Sequence, residues 1–414
     1  MLKKIFSNTL AQLVAKFFGA GLTLITTYFT IRLAGLPLYG DLTKILVMVA
    51  VGFTAIDFGL NAEGIRSAQS ESDMQKSSAN IFIARLFLSL VVVLVLNLLV
   101  SFLPGGYSSE VKSIFWLGSL AIIFQGIYAS GNAWFQYKLS YWRSTISVIT
   151  GSLFGTILTL YFLKYSPTLP NLILANTVGY LVMATCSLLL LIPQFRSLPA
   201  CAGRRDSRRV IGTLRPVFAL LQNSLILGLI LIFSVIASKI DTIILGIFRL
   251  SSEVGEYGFA YRIFDVILVL PVFVMNAIYP LSLREKAQKG STTIIDKTAK
   301  YMAIIGIFTS IVLWFAAPYV NLVKPGLVIT TNVLRLLSIS LPLFYVTAPL
   351  MWSLIAKKRD KIVLGIYVVA ALVNASLNLI FIPSYGALAA AINTGVTELF
   401  IFLTLLHFSL PKKD

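Results

Sequence analysis

Ile31 to Gly40 reads IRLAGLPLYG, and the pattern returns at Phe248 to Gly258 as FRLSSEVGEYG with one residue inserted. Outward from this pair, Arg66 recurs as Arg284, Trp134 as Trp352 and Arg143 as Lys361, each 218 positions on. Asn176-Thr177 recurs as Asn393-Thr394, 217 positions on. Any one match is weak. Together, in one order and at one offset, they put two copies of one unit in the chain.

The composition says what kind of unit this is. Of 414 residues, 57% are apolar and 12% charged, with a mean hydropathy of +0.88. A soluble domain carries about twice that share of charge, and no soluble core of this size hides so much apolar surface. Soluble enzymes, disordered chains and nucleic-acid binders are excluded. Apolar runs long enough to cross a bilayer lie at 9–31, 42–64, 79–102, 113–135, 144–164, 171–192, 217–239, 254–279, 298–319, 331–355, 362–382 and 386–408, and 240–250 can extend the seventh. The first is too long for a signal peptide and contains Lys16, so it reads as a retained helix. The expected fold is an all-α polytopic membrane protein of twelve transmembrane helices. They form two six-helix bundles, 1–195 and 217–414, joined by a basic linker at 196–216. Six spans per copy is an even number, so the copies enter the membrane in the same sense. Such a parallel repeat is transporter architecture.

Lys and Arg number 34 against 16 Asp and Glu, a net +18. Twenty-three of the 34 bases fall at the termini and in the loops after even-numbered spans, and six in the alternate loops, Lys44 among them. By the positive-inside bias both termini are expected in the cytoplasm. The run Arg204, Arg205, Arg208 and Arg209 reads chiefly as a positive-inside stop, with anionic-lipid contact as the alternative. With Cys186, Cys201 and His407 as the only residues of their kinds, no disulfide framework, metal site, cofactor or histidine-centred catalysis is expected, and the chain is not read as an enzyme.

Five bases remain inside the spans: Lys16, Arg85, Lys239, Arg262 and Arg335. Charges at that depth face a cavity or a partner. Lys239 and Arg335 sit near helix ends and Arg85 about one and a half turns from one, so snorkelling is the plain alternative for all three. Arg262 can instead be held by Asp265 at i+3, and Glu63 by Arg66. Gln12, Lys16, Thr23 and their helical neighbours form a polar face on span 1, and Asp57 and Asn61 one on span 2. Asn223, Ser238 and Asp241 do so on span 7, and Arg262, Asp265 and Asn276 on span 8. Spans 1 and 2 are the repeat equivalents of 7 and 8. Gln12, Thr23, Asn61, Asn223, Ser238 and Asn276 are therefore expected to line a cavity. Asp57, Asp265 and Glu398 either couple transport to a cation or pair with bases of other spans. Pro271, Pro342 and Pro349 favour kinks.

The stretches RLAGLPLYG (Arg32 to Gly40), IDFGLN (Ile56 to Asn61), SKIDTIILG (Ser238 to Gly246), VGEYGFAYR (Val254 to Arg262) and AIYPLSL (Ala277 to Leu283) carry a resemblance. They resemble the polysaccharide transporters of the multidrug/oligosaccharidyl-lipid/polysaccharide exporter superfamily, and most closely the O-antigen (Wzx-type) flippases. The likeness implies two six-helix lobes around a cavity lined by helices 1, 2, 7 and 8, working by alternating access in the bacterial inner membrane. It implies an oligosaccharide repeat unit linked by pyrophosphate to undecaprenol as substrate. Lys16, Arg85, Arg262, Lys239 and Arg335 would then serve the pyrophosphate, since charge-assisted hydrogen bonds strengthen where water is scarce. Membrane lipids, H⁺ or Na⁺ and a polysaccharide polymerase complex are the further partners it suggests; nucleic acid is not. Leu36 to Leu38 lack the Glu common in that family, and Thr242 stands where a base is common. The two extra C-terminal helices of the lipid II flippases are not expected. The alternatives are a cation-coupled multidrug exporter of the same superfamily and a membrane enzyme of polysaccharide assembly. The enzyme would have only Asp41, Glu110, Glu253 and Glu256 as acids in its outer loops.

Overall fold

In lipid every backbone polar group must bond within its own segment, and the chain answers with helices throughout. The computed structural model describes residues 2–68, 70–196, 210–289 and 293–409. In order they form α1 (Leu2–Leu33), α2 (Gly35–Asp57), α3 (Leu60–Ser67), α4 (Glu71–Phe102), α5 (Ser109–Tyr137), α6 (Tyr141–Tyr165) and α7 (Leu169–Arg196). Then follow α8 (Val210–Phe248), α9 (Ser251–Lys289), α10 (Thr293–Ala316), a 3-10 segment (Ala317–Leu322), α11 (Val328–Ala356) and α12 (Asp360–Ser409). No strand occurs among the described residues. Starts are capped where the sequence offers a hydroxyl. Ser70 Oγ accepts from the Asp73 amide and Ser108 Oγ from the Val111 amide, with Glu71, Asp73 and Glu110 in the first turns. The arginine run at 204–209 and Cys201 lie outside the described residues.

Eleven stretches among the described residues are long and apolar enough to cross a membrane. The twelfth expected span is inside the last of them. At about 1.5 Å per residue, 50 straight residues would reach about 75 Å, more than twice a hydrocarbon core. Gly386 breaks the run with φ 60° and ψ −138°. Asn374 Nδ2 donates to Thr397 Oγ1 and Asn393 Nδ2 to Asn378 Oδ1, each at 3.0 Å. Partners 23 and 15 positions apart meet only if the chain reverses between them. α12 is therefore an antiparallel hairpin of two spans. Its tip is clasped from α9 and the turn before it. Arg249 Nε donates to Ile382 O at 3.2 Å, and the Ala387 amide to Glu253 Oε1 at 2.7 Å.

Span 2 departs from the continuous run expected over 42–64. It ends at Asp57, and Phe58 (φ 46°) and Gly59 (φ 69°) turn the chain before α3. α11 passes through Pro342 and Pro349 without a break.

The repeat is visible in backbone detail. After α5, Leu139 takes φ 51°, the Ser140 amide bonds Phe135 O, and the Leu139 amide bonds Gln136 O. After α11, Lys358 takes φ 59°, the Arg359 amide bonds Leu354 O, and the Lys358 amide bonds Ile355 O. This is one helix-ending motif, a 6→1 bond over a 5→2 bond, made twice 219 positions apart, one more than the sequence matches on either side of it.

The described residues group into two compact units. The first draws on 2–26, 48–68, 70–103, 108–196 and 210–232, the second on 27–47, 104–107, 233–289 and 293–409. α1, α2 and α8 each contribute to both. In the first unit α7 packs on α5 and α6, and α4 on α5. The α6–α7 contact is close because Gly151 and Gly155 face Gly179. Leu60, Ile81, Trp134, Phe135, Val217 and Leu220 belong to its core. In the second unit α11 packs on α9, α10 and α12.

Candidate functional site

A helix that stops inside a membrane leaves carbonyls without partners. At the end of α2 those carbonyls belong to Ile56 and Asp57, and Arg85 of α4 meets them. Its Nε donates to Ile56 O at 3.1 Å. Nη2 donates to Asp57 O at 3.4 Å and to Asp57 Oδ1 at 3.3 Å, and Nη1 to Ser130 Oγ at 3.3 Å. The Arg85 side chain is 0% exposed, whereas that of Asp57 is 52% exposed. Each nitrogen of the guanidinium is thus engaged by the protein. Phe58 lies over Gly228 of α8, where an added β-carbon would stand 2.6 Å from its ring. Asn61 Nδ2 donates to Ala129 O at 3.2 Å, while its buried Oδ1 has no hydrogen-bond partner.

Also in the first unit, α1 presents its polar face in steps of one turn. Lys16 is exposed, and Gln12, Thr23 and Thr26 are half-buried. Thr23 Oγ1 bonds back to Gly19 O at 2.8 Å, so its hydroxyl is satisfied within the helix. Asn223 is exposed on α8.

The second unit holds a denser set of charges. Lys239 Nζ donates to both oxygens of Asp265, at 2.8 and 3.1 Å, and lies 4.2 Å from the centre of the Tyr261 ring. Asp265 thus pairs with Lys239 of α8 instead of with Arg262 one turn away. Arg262 is half-buried and makes no ion pair among the described residues. The local pair Glu63–Arg66 does form, at 3.9 Å. Ser238 Oγ bonds back to Val235 O at 3.1 Å. Asp241 is fully buried and gathers donors: Tyr257 Oη at 2.6 Å, Thr394 Oγ1 at 3.0 Å, Thr242 Oγ1 at 3.1 Å and the Thr242 amide. Burial is tolerable for a carboxylate only with such compensation. Glu398, also buried, accepts from Thr347 Oγ1. Arg335 lies 5.7 Å from the Trp314 ring, and its buried Nε has no hydrogen-bond partner. The side chain of Asn276 lies outside the described residues.

Of the three carboxylates considered for ion coupling, Asp57 and Asp265 pair with bases of other helices, and Glu398 bonds a hydroxyl. Two features escape the sequence pattern. Asp241 reads there only as part of a polar face, because its donors come from three helices and no periodicity reveals them. Lys44 reads there as a loop base, yet it lies in α2 and is 1% exposed. The signal that could have found it is the repeat, which places it 218 positions before Arg262.

A family model described as polysaccharide biosynthesis protein matches residues 1–286. None of the curated proteins matches the chain in sequence. Among solved structures, a lipid II flippase MurJ in an inward closed conformation superposes with TM-score 0.70 at 17% identity, covering 96% of this chain and 87% of the other. An inward-facing multidrug resistance MATE family transporter of the MOP superfamily gives 0.71 at 14% identity, covering 94% of both. The eukaryotic MATE transporter AtDTX14 gives 0.67 at 12%, covering 99% and 95%. At these identities the likeness is one of fold: that of a multi-pass membrane protein, with no strand among the described residues.

Proposed function

Because this chain belongs to the polysaccharide biosynthesis protein family, we propose that it is a flippase for a lipid-linked oligosaccharide. The substrate would be an undecaprenyl-pyrophosphate-linked repeat unit such as an O-antigen unit. It would move across the bacterial inner membrane by alternating access of the halves 1–195 and 217–414, with both termini cytoplasmic. The observation that carries this reading, beside the family, is the state of the in-span bases. Lys16 is exposed on α1 and Arg262 is half-buried without an ion pair among the described residues. Their positive charge suits a pyrophosphate headgroup, which charge-assisted hydrogen bonds hold. Arg85 and Lys239 act behind them, holding the end of α2 and Asp265 in place. Arg335, over Trp314, supplies positive charge from α11.

Deleting the gene should strip surface polymer and leave the lipid-linked unit on the cytoplasmic leaflet. Lys16→Ala and Arg262→Ala should insert normally and each lower complementation about tenfold, the effect of ~1.4 kcal/mol of lost binding. Full complementation by both would sink the assignment. The second reading, a cation-coupled exporter, is favoured by one observation: Glu398 is buried against a hydroxyl. Unchanged surface polymer with altered drug sensitivity on deletion would move the conclusion there.

A further inference from the structure

Both copies of the repeated motif lie in the second unit, where the start of α2 meets the start of α9. The backbones touch. A β-carbon at Gly40 would stand 1.6 Å from Ser251 O, one at Gly255 2.6 Å from Leu36 O, and one at Gly258 2.6 Å from Thr43 Cγ2. Small residues in step along two helices permit this approach.

Lys44 lies one turn beyond Gly40. Its ammonium has three protons and finds three acceptors: Gly106 O at 2.7 Å, Ser251 Oγ at 2.8 Å and Asp41 Oδ1 at 3.0 Å. Ser251 Oγ itself donates to Asp41 Oδ1 at 2.6 Å. The Tyr107 ring lies 5.6 Å from the ammonium, and its hydroxyl reaches Ile243 O at 3.3 Å. Burial pushes the Tyr107 phenol up from its ordinary value, so it stays a neutral donor. One ammonium thus ties together α2, the 104–107 connection and the first turn of α9. A buried ion cluster is a poor way to gain stability, because apolar side chains pack as well; its best-attested use is to fix one arrangement against another. The counterpart one repeat on, Arg262, makes no ion pair among the described residues. One base of the equivalent pair is thus held by three acceptors, while the other makes no ion pair among the described residues.

We propose that Lys44 is a latch. With Asp41, Ser251 and Gly106 it holds the starts of α2 and α9 together at the end of the molecule poor in basic loops, and its release opens that end. The inference rests on the transport reading only for what passes through.

The test starts from a Cys186→Ser, Cys201→Ser chain carrying Thr43→Cys as reporter, since Thr43 is buried in the α2–α9 contact. A membrane-impermeant maleimide added to intact cells should label this reporter slowly. Lys44→Met should raise the rate about tenfold and Ser251→Ala by a smaller factor, as expected when one closed state loses part of its support. Unchanged labelling in variants that elute as a single detergent-solubilised species overturns the latch. A second measurement leaves Lys44 in place: Asp41→Cys with Ser251→Cys should cross-link on mild oxidation and stop surface-polymer export until reduced. Failure to cross-link, or export undisturbed by the cross-link, also overturns it. If labelling and cross-linking behave as expected while gene deletion leaves surface polymer intact, the latch stands and the transported substrate must be reassigned.

Discussion

Arg85 and Lys16 are bases at similar depth in the sequence pattern, and the structure gives them different surroundings: Arg85 is wholly buried and Lys16 is exposed. Arg85 closes a helix end, and no apolar residue can do that, because the carbonyls of Ile56 and Asp57 need donors. Removing one partner of a buried charged cluster costs about 3–5 kcal/mol. Arg85→Ala should therefore lower thermal stability in detergent by about that much. Arg85→Lys should recover only part, because a single ammonium does not reproduce the fork that reaches Ile56, Asp57 and Ser130. Equal melting of Arg85→Ala and the parent chain would remove the helix-end role. The five in-span bases were legible in the sequence because a charge among apolar residues is conspicuous. Whose donors are already engaged was not legible, because Asp57 and Ser130 lie 28 and 45 positions from Arg85. Lys44 was hidden for another reason: at the border of a span, a solvated base and a buried one read alike.

At the scale of elements, apolar run length placed nearly every helix, since a bilayer allows the chain little else. What run length does not reveal is where a run bends. Span 2 turns at Phe58–Gly59, and no proline marks the place. The reversal at 386 was legible as a gap between runs, with Pro383 and Gly386 near it. Its geometry now explains why glycine is needed there. With φ at +60°, an added β-carbon would stand 2.0 Å from Glu253 Oε1 and 3.0 Å from Arg249 Nε. Gly365, in the same element, has nothing within 4 Å of its β-carbon position. Gly386→Ala should then destabilise by about 2 kcal/mol from backbone strain and a displaced clasp. Gly365→Ala should stabilise slightly, by up to about 1 kcal/mol, as alanine does in a helix interior. Thermal unfolding of the two variants side by side checks this. Equal effects would mean that the hairpin tip carries no special constraint.

At the scale of the whole molecule, the repeat makes a claim about sidedness. Six spans lie between equivalent points, so the copies should cross in the same sense. A repeat of odd span number would place them in opposite senses. The structure supplies matched points for the comparison: the turn at Leu139–Ser140 and its equivalent at Lys358–Arg359, built from the same pair of hydrogen bonds. In a chain with Cys186→Ser and Cys201→Ser, single cysteines at Ser140 and Arg359 should both be shielded from an impermeant maleimide in intact cells, and both should react after permeabilisation. A cysteine at Ser166, in the connection between α6 and α7, should react in intact cells, because one helix of about 25 residues separates it from the first point. The distribution of bases requires the same result, since Lys138, Arg143, Lys357, Lys358, Arg359 and Lys361 cluster at the two matched turns and short basic loops stay on the cytoplasmic side. The two lines of reasoning are independent, one from backbone geometry and the other from charge. Labelling of the first two positions from opposite sides would contradict both, and would replace the parallel repeat with an inverted one.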